Sequence, residues 1–159
     1  MKFTNGFWQV RDGYTVLSPA EAYDAREHQG SLEVYAPVQR VVTRGHTLNT
    51  PQLTFTVTAV APEVLKVRIS HFQGGVAVQP EFVLAPPAKT ASKVVVSEHE
   101  ASISAGRLTA RFSRGSGPWN FEFLGDGQPL TRSEPKGAAL IQGPGGAVYM
   151  KEELSLDVG

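Results

Sequence analysis

Two pairs of carboxylates stand close together in this sequence, Glu98 with Glu100 and Glu152 with Glu153. Paired carboxylates are what hydrolysis of a glycosidic bond requires. One must be held protonated to assist the leaving oxygen, and the other ionised to attack or to activate water. Glu98-His99-Glu100 separates two alternating runs, so both carboxylates are expected on a tight turn facing water, where neither pKa is tuned. Glu152 and Glu153 are adjacent, and on a strand adjacent side chains point to opposite faces. Neither pair reads as a catalytic dyad.

The histidines are His28, His46, His71 and His99, and no two have metal-ligand spacing. His71 ends an alternating run and is the candidate for the acid of a mutarotase-type reaction. That reaction also needs a carboxylate base, which no spacing here marks. A histidine hydrogen-bonded locally at a strand end is the simpler reading. Gly143-Pro144-Gly145-Gly146 has no Lys-Ser/Thr after it and opens no helix, so it reads as a turn and not a phosphate loop. Gly115-Ser116-Gly117 lacks the strand-to-helix setting of a nucleophile elbow. Trp8, Tyr35, Trp119 and Tyr149 could stack on sugar rings, but in an all-β chain such rings are expected in the core. No residue is assigned as catalytic, metal-ligating or cofactor-binding, and no cofactor is expected.

The elements behind these residues are short strands. Leu53, Phe55 and Val57 share one face and Thr54, Thr56 and Thr58 the other. After Ala61-Pro62-Glu63, Leu65, Val67 and Ile69 point one way and Lys66, Arg68 and Ser70 the other. The two runs predict a hairpin. Lys93–Ser97, Ala101–Ser104, Leu108–Phe112 and Phe121–Phe123 continue the pattern. Gly125-Asp126-Gly127 then turns the chain toward Gln128–Arg132, since an Asp-Gly pair suits a turn with two positive φ angles. Shorter strands are expected at Tyr14–Leu17, Glu21–Arg26, Leu32–Tyr35 and Val38–Thr43. Ser18 and Glu21 have capping-box spacing, but helical periodicity is otherwise almost absent. The longest irregular stretch, Gln73 to Pro87, reads as a solvated connection between sheets. The pattern predicts one antiparallel β-sandwich or barrel.

Composition agrees. The chain has 159 residues, 41% apolar and 19% charged, which suits one folded domain. Basic and acidic residues are 15 each, so no charge excess draws it to nucleic acid or an anionic membrane. There are no cysteines, which fits a cytoplasmic protein. No secretory signal opens the sequence and no apolar run is long enough to span a bilayer.

Several stretches resemble the N-terminal region of family 31 glycoside hydrolases of the bacterial α-xylosidase branch. They are Met1-Lys2-Phe3-Thr4-Asn5-Gly6-Phe7-Trp8, Leu48-Asn49-Thr50-Pro51, Val67-Arg68-Ile69-Ser70-His71-Phe72-Gln73-Gly74, Gly106-Arg107-Leu108-Thr109-Ala110-Arg111, Trp119-Asn120-Phe121-Glu122-Phe123-Leu124, and Tyr149-Met150 with Leu156-Asp157-Val158-Gly159. The similarity runs collinearly from Met1 to Gly159. It implies a galactose-mutarotase-like super-sandwich over residues 1–159, incomplete at its C-terminus, from an enzyme whose catalytic (β/α)8 barrel is absent here. The implied parent is a retaining hydrolase of terminal α-xylosyl units, with its catalytic aspartates in that barrel. Its substrate, an α-xyloside or oligosaccharide, would be held there, and the parent could be a homo-oligomer. The alternatives are an α-glucosidase of the same family, a stand-alone carbohydrate-binding module with a row of exposed rings, and a mutarotase using His71.

Overall fold

In the computed structural model, residues 4–5, 9–48, 50–71 and 90–156 are described. Trp8 and the stretch Gln73 to Pro87 lie outside the described residues. Period-two alternation builds most of what is seen. Leu53, Phe55 and Val57 are fully buried while Thr54, Thr56 and Thr58 sit half-buried on the other face.

The strands in chain order are β1 (Thr4–Asn5), β2 (Gln9–Val10), β3 (Thr15–Leu17), β4 (Asp24–His28), β5 (Ser31–Pro37), β6 (Gln52–Ala61), β7 (Val64–His71) and β8 (Lys93–Val96). They continue with β9 (Glu100–Ala105), β10 (Leu108–Ser113), β11 (Phe121–Gly125), β12 (Gln128–Ser133), β13 (Ala139–Gln142), β14 (Val148–Lys151) and β15 (Ser155–Leu156). Two short 3-10 turns, Arg44–Thr47 and Pro144–Gly146, complete the described elements. No described helix is long and apolar enough to cross a membrane.

Every described pairing is antiparallel. A four-stranded sheet has the order β4-β5-β6-β7, and a six-stranded sheet the order β15-β12-β11-β10-β9-β8. The two lie face to face, with β5 and β6 over β9 and β7 near β10. Two smaller sheets, β14-β13-β3 and β1-β2, complete the arrangement. The architecture is an all-β antiparallel sandwich, as the alternation predicts.

Aromatic rings fill the space between the sheets. Phe55 of β6 meets Trp119 at 4.9 Å, Phe112 at 5.7 Å and Phe121 at 5.9 Å between ring centroids. Phe112 and Phe121, neighbours on β10 and β11, stack with centroids 4.1 Å apart. Edge and offset contacts of this kind add to the area the rings bury.

Turn chemistry sets the registers. Asp126 and Gly127 both have positive φ, 50° and 78°, as the two-residue hairpin between β11 and β12 requires. Gln29 and Gly30 do the same between β4 and β5, with φ of 51° and 76°.

Two expectations are corrected. Val38–Thr43 is not a strand. The carboxylate of Glu21 accepts from the Val41 N–H at 2.7 Å, and the Val42 N–H donates to His46 Nδ1 at 3.2 Å. Side chains thus satisfy backbone groups that a ladder would otherwise hold. The strand expected from Glu21 starts at Asp24, although Ala20 and Tyr23 already donate to Pro37 and Tyr35. Phe121 and Phe123 share the core side of β11 as expected, Phe121 sealed and Phe123 packed against the core, and the register shift after Phe123 lets Leu124 be buried as well. Finally, β13 has no counterpart among the expected strands. Ala139, Leu140 and Ile141 are all buried in succession, so β13 shows no alternation.

Candidate functional site

Glu98 and Glu100 flank a serine-capped turn. The Ser97 hydroxyl accepts from the N–H of Glu100 at 3.1 Å and of His99 at 3.3 Å. Glu98 is exposed, as expected, but Glu100 is the first residue of β9 and half-buried. Glu152 and Glu153 are not on a strand at all. They follow the end of β14, so strand alternation does not set their directions. Glu153 is held below the usual carboxylate range by a hydrogen bond from Lys151, whose Nζ lies 2.7 Å from its Oε2. Glu152 is exposed as a residue, yet partial burial of its carboxyl raises its pKa.

One carboxyl raised and its neighbour lowered is the electrostatic pattern of an acid paired with a base. Geometry separates them. A shallow cleft of about 240 Å³ is lined by Glu134, Lys136, Gly137, Lys151, Glu153 and Leu154 among others, and Glu152 is not among its walls. Glu153 enters that cleft already paired with Lys151, which also donates to the Lys136 carbonyl at 3.3 Å. The cleft is closely built at its base. A Cβ on Gly137 would lie 2.7 Å from Ser133 Oγ and 2.9 Å from the carbonyls of Glu134 and Glu153.

His71 is half-buried at the end of β7, and its Nδ1 donates to the Gln52 carbonyl at 3.1 Å. That is the local hydrogen bond the simpler reading expects. Among the described residues no three His, Cys, Asp or Glu side chains are grouped to hold a metal ion. Gly145 and Gly146 have positive φ within the turn between β13 and β14, and the Gly115 carbonyl accepts from Arg40.

The aromatic candidates divide. Trp119 is core, as expected. Tyr149 is exposed on β14, and Tyr35 lies on the outer face of its sheet, so the core expectation fails for both. The Arg26 guanidinium lies over the Tyr35 ring at 5.1 Å and covers that face of it. Tyr23, the other large exposed ring, precedes β4. The exposed described rings therefore form no row on one face.

One polar cluster of the described residues escaped the sequence reading. Arg26 donates to Glu33 through Nε, and its terminal nitrogen lies within 3.0 Å of the same oxygen, which also accepts from the Tyr35 hydroxyl at 3.1 Å. Burial alone would raise Glu33, but the hydrogen bonds from Arg26 and Tyr35 outweigh it and hold the carboxylate below its usual range. The signal was available: a two-residue turn at Gln29-Gly30 places Arg26 opposite Glu33. The arrangement is a saturated surface cluster on a sheet face lined by Thr54, Thr56, Thr58, Lys66 and Arg68.

The geometry thus defines an antiparallel sandwich whose candidate carboxylates do not converge on a common cleft. Compared with characterised proteins, the chain is 33% identical over 159 residues to the α-xylosidase XylQ of Lactiplantibacillus pentosus. The match takes in 99% of this chain and 20% of that enzyme, so the chain spans about a fifth of the length of the curated relative it matches. The resemblance read from the sequence to α-xylosidase chains is therefore met by a collinear relative, and the chain is glycosidase-related. No family model matches it.

Proposed function

We propose that these residues form the N-terminal, non-catalytic sandwich of a retaining α-xylosidase of glycoside hydrolase family 31, acting on terminal α-xylosyl units in the cytoplasm. The observation that carries this reading is the 33% identity along 99% of the chain to an α-xylosidase five times its length. In this reading the reacting carboxyls reside elsewhere in the longer enzyme, and the sandwich, mutarotase-like in topology, supports the domain that holds them. The substrate is an α-xyloside or oligosaccharide bound mainly by that other domain. A chain free of cysteine suits a reducing compartment.

The test is an assay of the 159 residues alone on an aryl α-xyloside, with titration by xylose and xylosyl oligosaccharides followed by calorimetry. We expect neither turnover nor saturable heat. Turnover that survives repurification and disappears in Glu98→Gln, Glu152→Gln or Glu153→Gln would overturn the reading. Saturable binding without turnover would replace it with a stand-alone carbohydrate-binding module.

A further inference from the structure

The connection between β5 and β6 has no core of its own. None of residues 38–48 is buried, and Val42 and Leu48 are 77% and 69% exposed. Apolar packing therefore does little to place it, and polar bonds must. Its neck is closed by the Val38 N–H, which donates to the Pro51 carbonyl at 3.1 Å. Its turn is closed by the N–H groups of His46 and Leu48, which donate to the carbonyls of Thr43 and Gly45. These bonds shape the connection, but they lie within it. How it leans on the sandwich is set by its ties to other elements.

Those ties are made by Arg40 and answered by Arg114. Arg40 donates through Nη2 to the Gly115 carbonyl at 2.9 Å, and Gly115 lies between β10 and β11 of the six-stranded sheet. Its Nε lies 3.4 Å from Oε2 of Glu21, whose Oε1 accepts from the Val41 N–H at 2.7 Å. Arg114, one residue before Gly115, reaches the other way. Its Nη2 donates at 3.3 Å to the carbonyl of Tyr23, just before β4 of the four-stranded sheet. Its Nη1 donates to the Ser97 carbonyl in the turn between β8 and β9, and its own N–H is bonded to the His99 carbonyl at 2.8 Å. Arg40 is half-exposed, but the side chains of Arg114 and Glu21 are 16% and 13% exposed, so water competes little for their bonds.

We propose that Arg40 and Arg114 form a reciprocal clasp, through which the six-stranded sheet sets the position of the connection between β5 and β6. Each arginine extends from a segment of one sheet to a backbone carbonyl of the other. The receiving groups lie beside the donors in the chain: Gly115 follows Arg114, and Tyr23 stands two residues from Glu21, the partner of Arg40. One limb runs from Ser97 through Arg114 to Tyr23, and the other from Gly115 through Arg40 and Glu21 to Val41. The backbone joins the two limbs, so a displacement of one is carried to the other along hydrogen bonds. Arg107, at the far end of the sandwich, does not share this design. It forks onto Glu63 of the β6–β7 turn at 2.7 and 3.1 Å, with the two side chains 68% and 46% exposed. That pair bridges the sheets away from the connection.

Amide hydrogen exchange followed by NMR tests this, with the Val41 N–H, held by Glu21, as the reporter. Arg40→Met and Arg114→Met should each speed its exchange about fivefold or more, the scale of one hydrogen bond lost. The described bonds of Arg114 run to Tyr23, Asp24, Ser97 and His99 and not to the connection, so its effect must arrive through the clasp. In both variants the rise at Val41 should exceed any at Val57 in the middle of β6, and Arg107→Met should leave Val41 as it is in the parent. Far-ultraviolet circular dichroism verifies that each variant is folded. If Arg114→Met does not fold, Arg114→Lys takes its place: it keeps the charge, cannot fork onto two carbonyls, and should speed Val41 as well. Unchanged Val41 exchange in Arg40→Met or in the Arg114 variant would overturn the proposal. So would an equal rise at Val57 or in Arg107→Met, which would mean that Val41 reports a general loosening of the sandwich.

Discussion

Glu33 carries two opposing influences in one side chain. It is largely covered, which disfavours its charge, yet Arg26 and Tyr35 both donate to the same oxygen and hold it ionised. Its folded pKa therefore lies below the ordinary carboxylate value. Between the two values the unfolded chain binds more protons, so stability rises with pH there. The contribution is fully present above the unfolded pKa of about 4.3 and is lost as pH falls through the lower folded value. Arg26 is mostly exposed, so solvent screens the pair and its contribution to stability is small. Chemical denaturation of Glu33→Gln should show it less stable than the parent at neutral pH, with the gap closing in acid. A gap that widens below pH 4 would mean that the carboxylate is destabilised by its setting.

For the strands, the decisive signal was alternation, and the structure follows it where one face is buried and the other wet. The β6–β7 hairpin is the clearest case. Leu53, Phe55 and Val57 face the core, and Val67 and Ile69, opposite Val57 and Phe55, pack against it. Ile69→Asp should therefore unfold the sandwich, because it sets a charge against that core, while Lys66→Asp on the outer face should cost under about 1 kcal/mol. Thermal melts of the two variants check this, and the reverse order would mean a register slipped by one residue. Alternation is silent where both faces are covered, which is why β13 was not legible. It also misleads where side chains take over the backbone bonds, as Glu21 and His46 do around Val41 and Val42. The candidate site was legible only in part. Adjacent glutamates are visible in a sequence, but that Glu152 lies outside the cleft that Glu153 enters is a matter of chain path beyond β14. The Arg26–Glu33 pair could have been read from the turn between them, since a two-residue hairpin fixes its cross-strand partners.

At the scale of the molecule, the two large sheets share one cluster of rings, and Phe55 is the member that crosses between them. Trp119 is sealed beside it. The same contact makes the closed sandwich visible to light. An indole shut in among phenylalanines emits at shorter wavelength than one in water, so the colour of its emission reports whether the sheets are together. The chain has 2 tryptophans, and Trp8→Phe leaves Trp119 as the sole emitter. On heating that variant, the red shift of Trp119 and the loss of the far-ultraviolet β signal should follow one curve if the sandwich opens in a single step. A red shift that comes first would mean the sheets part while each is still intact, with β6 carrying Phe55 away from Trp119 before any strand is lost.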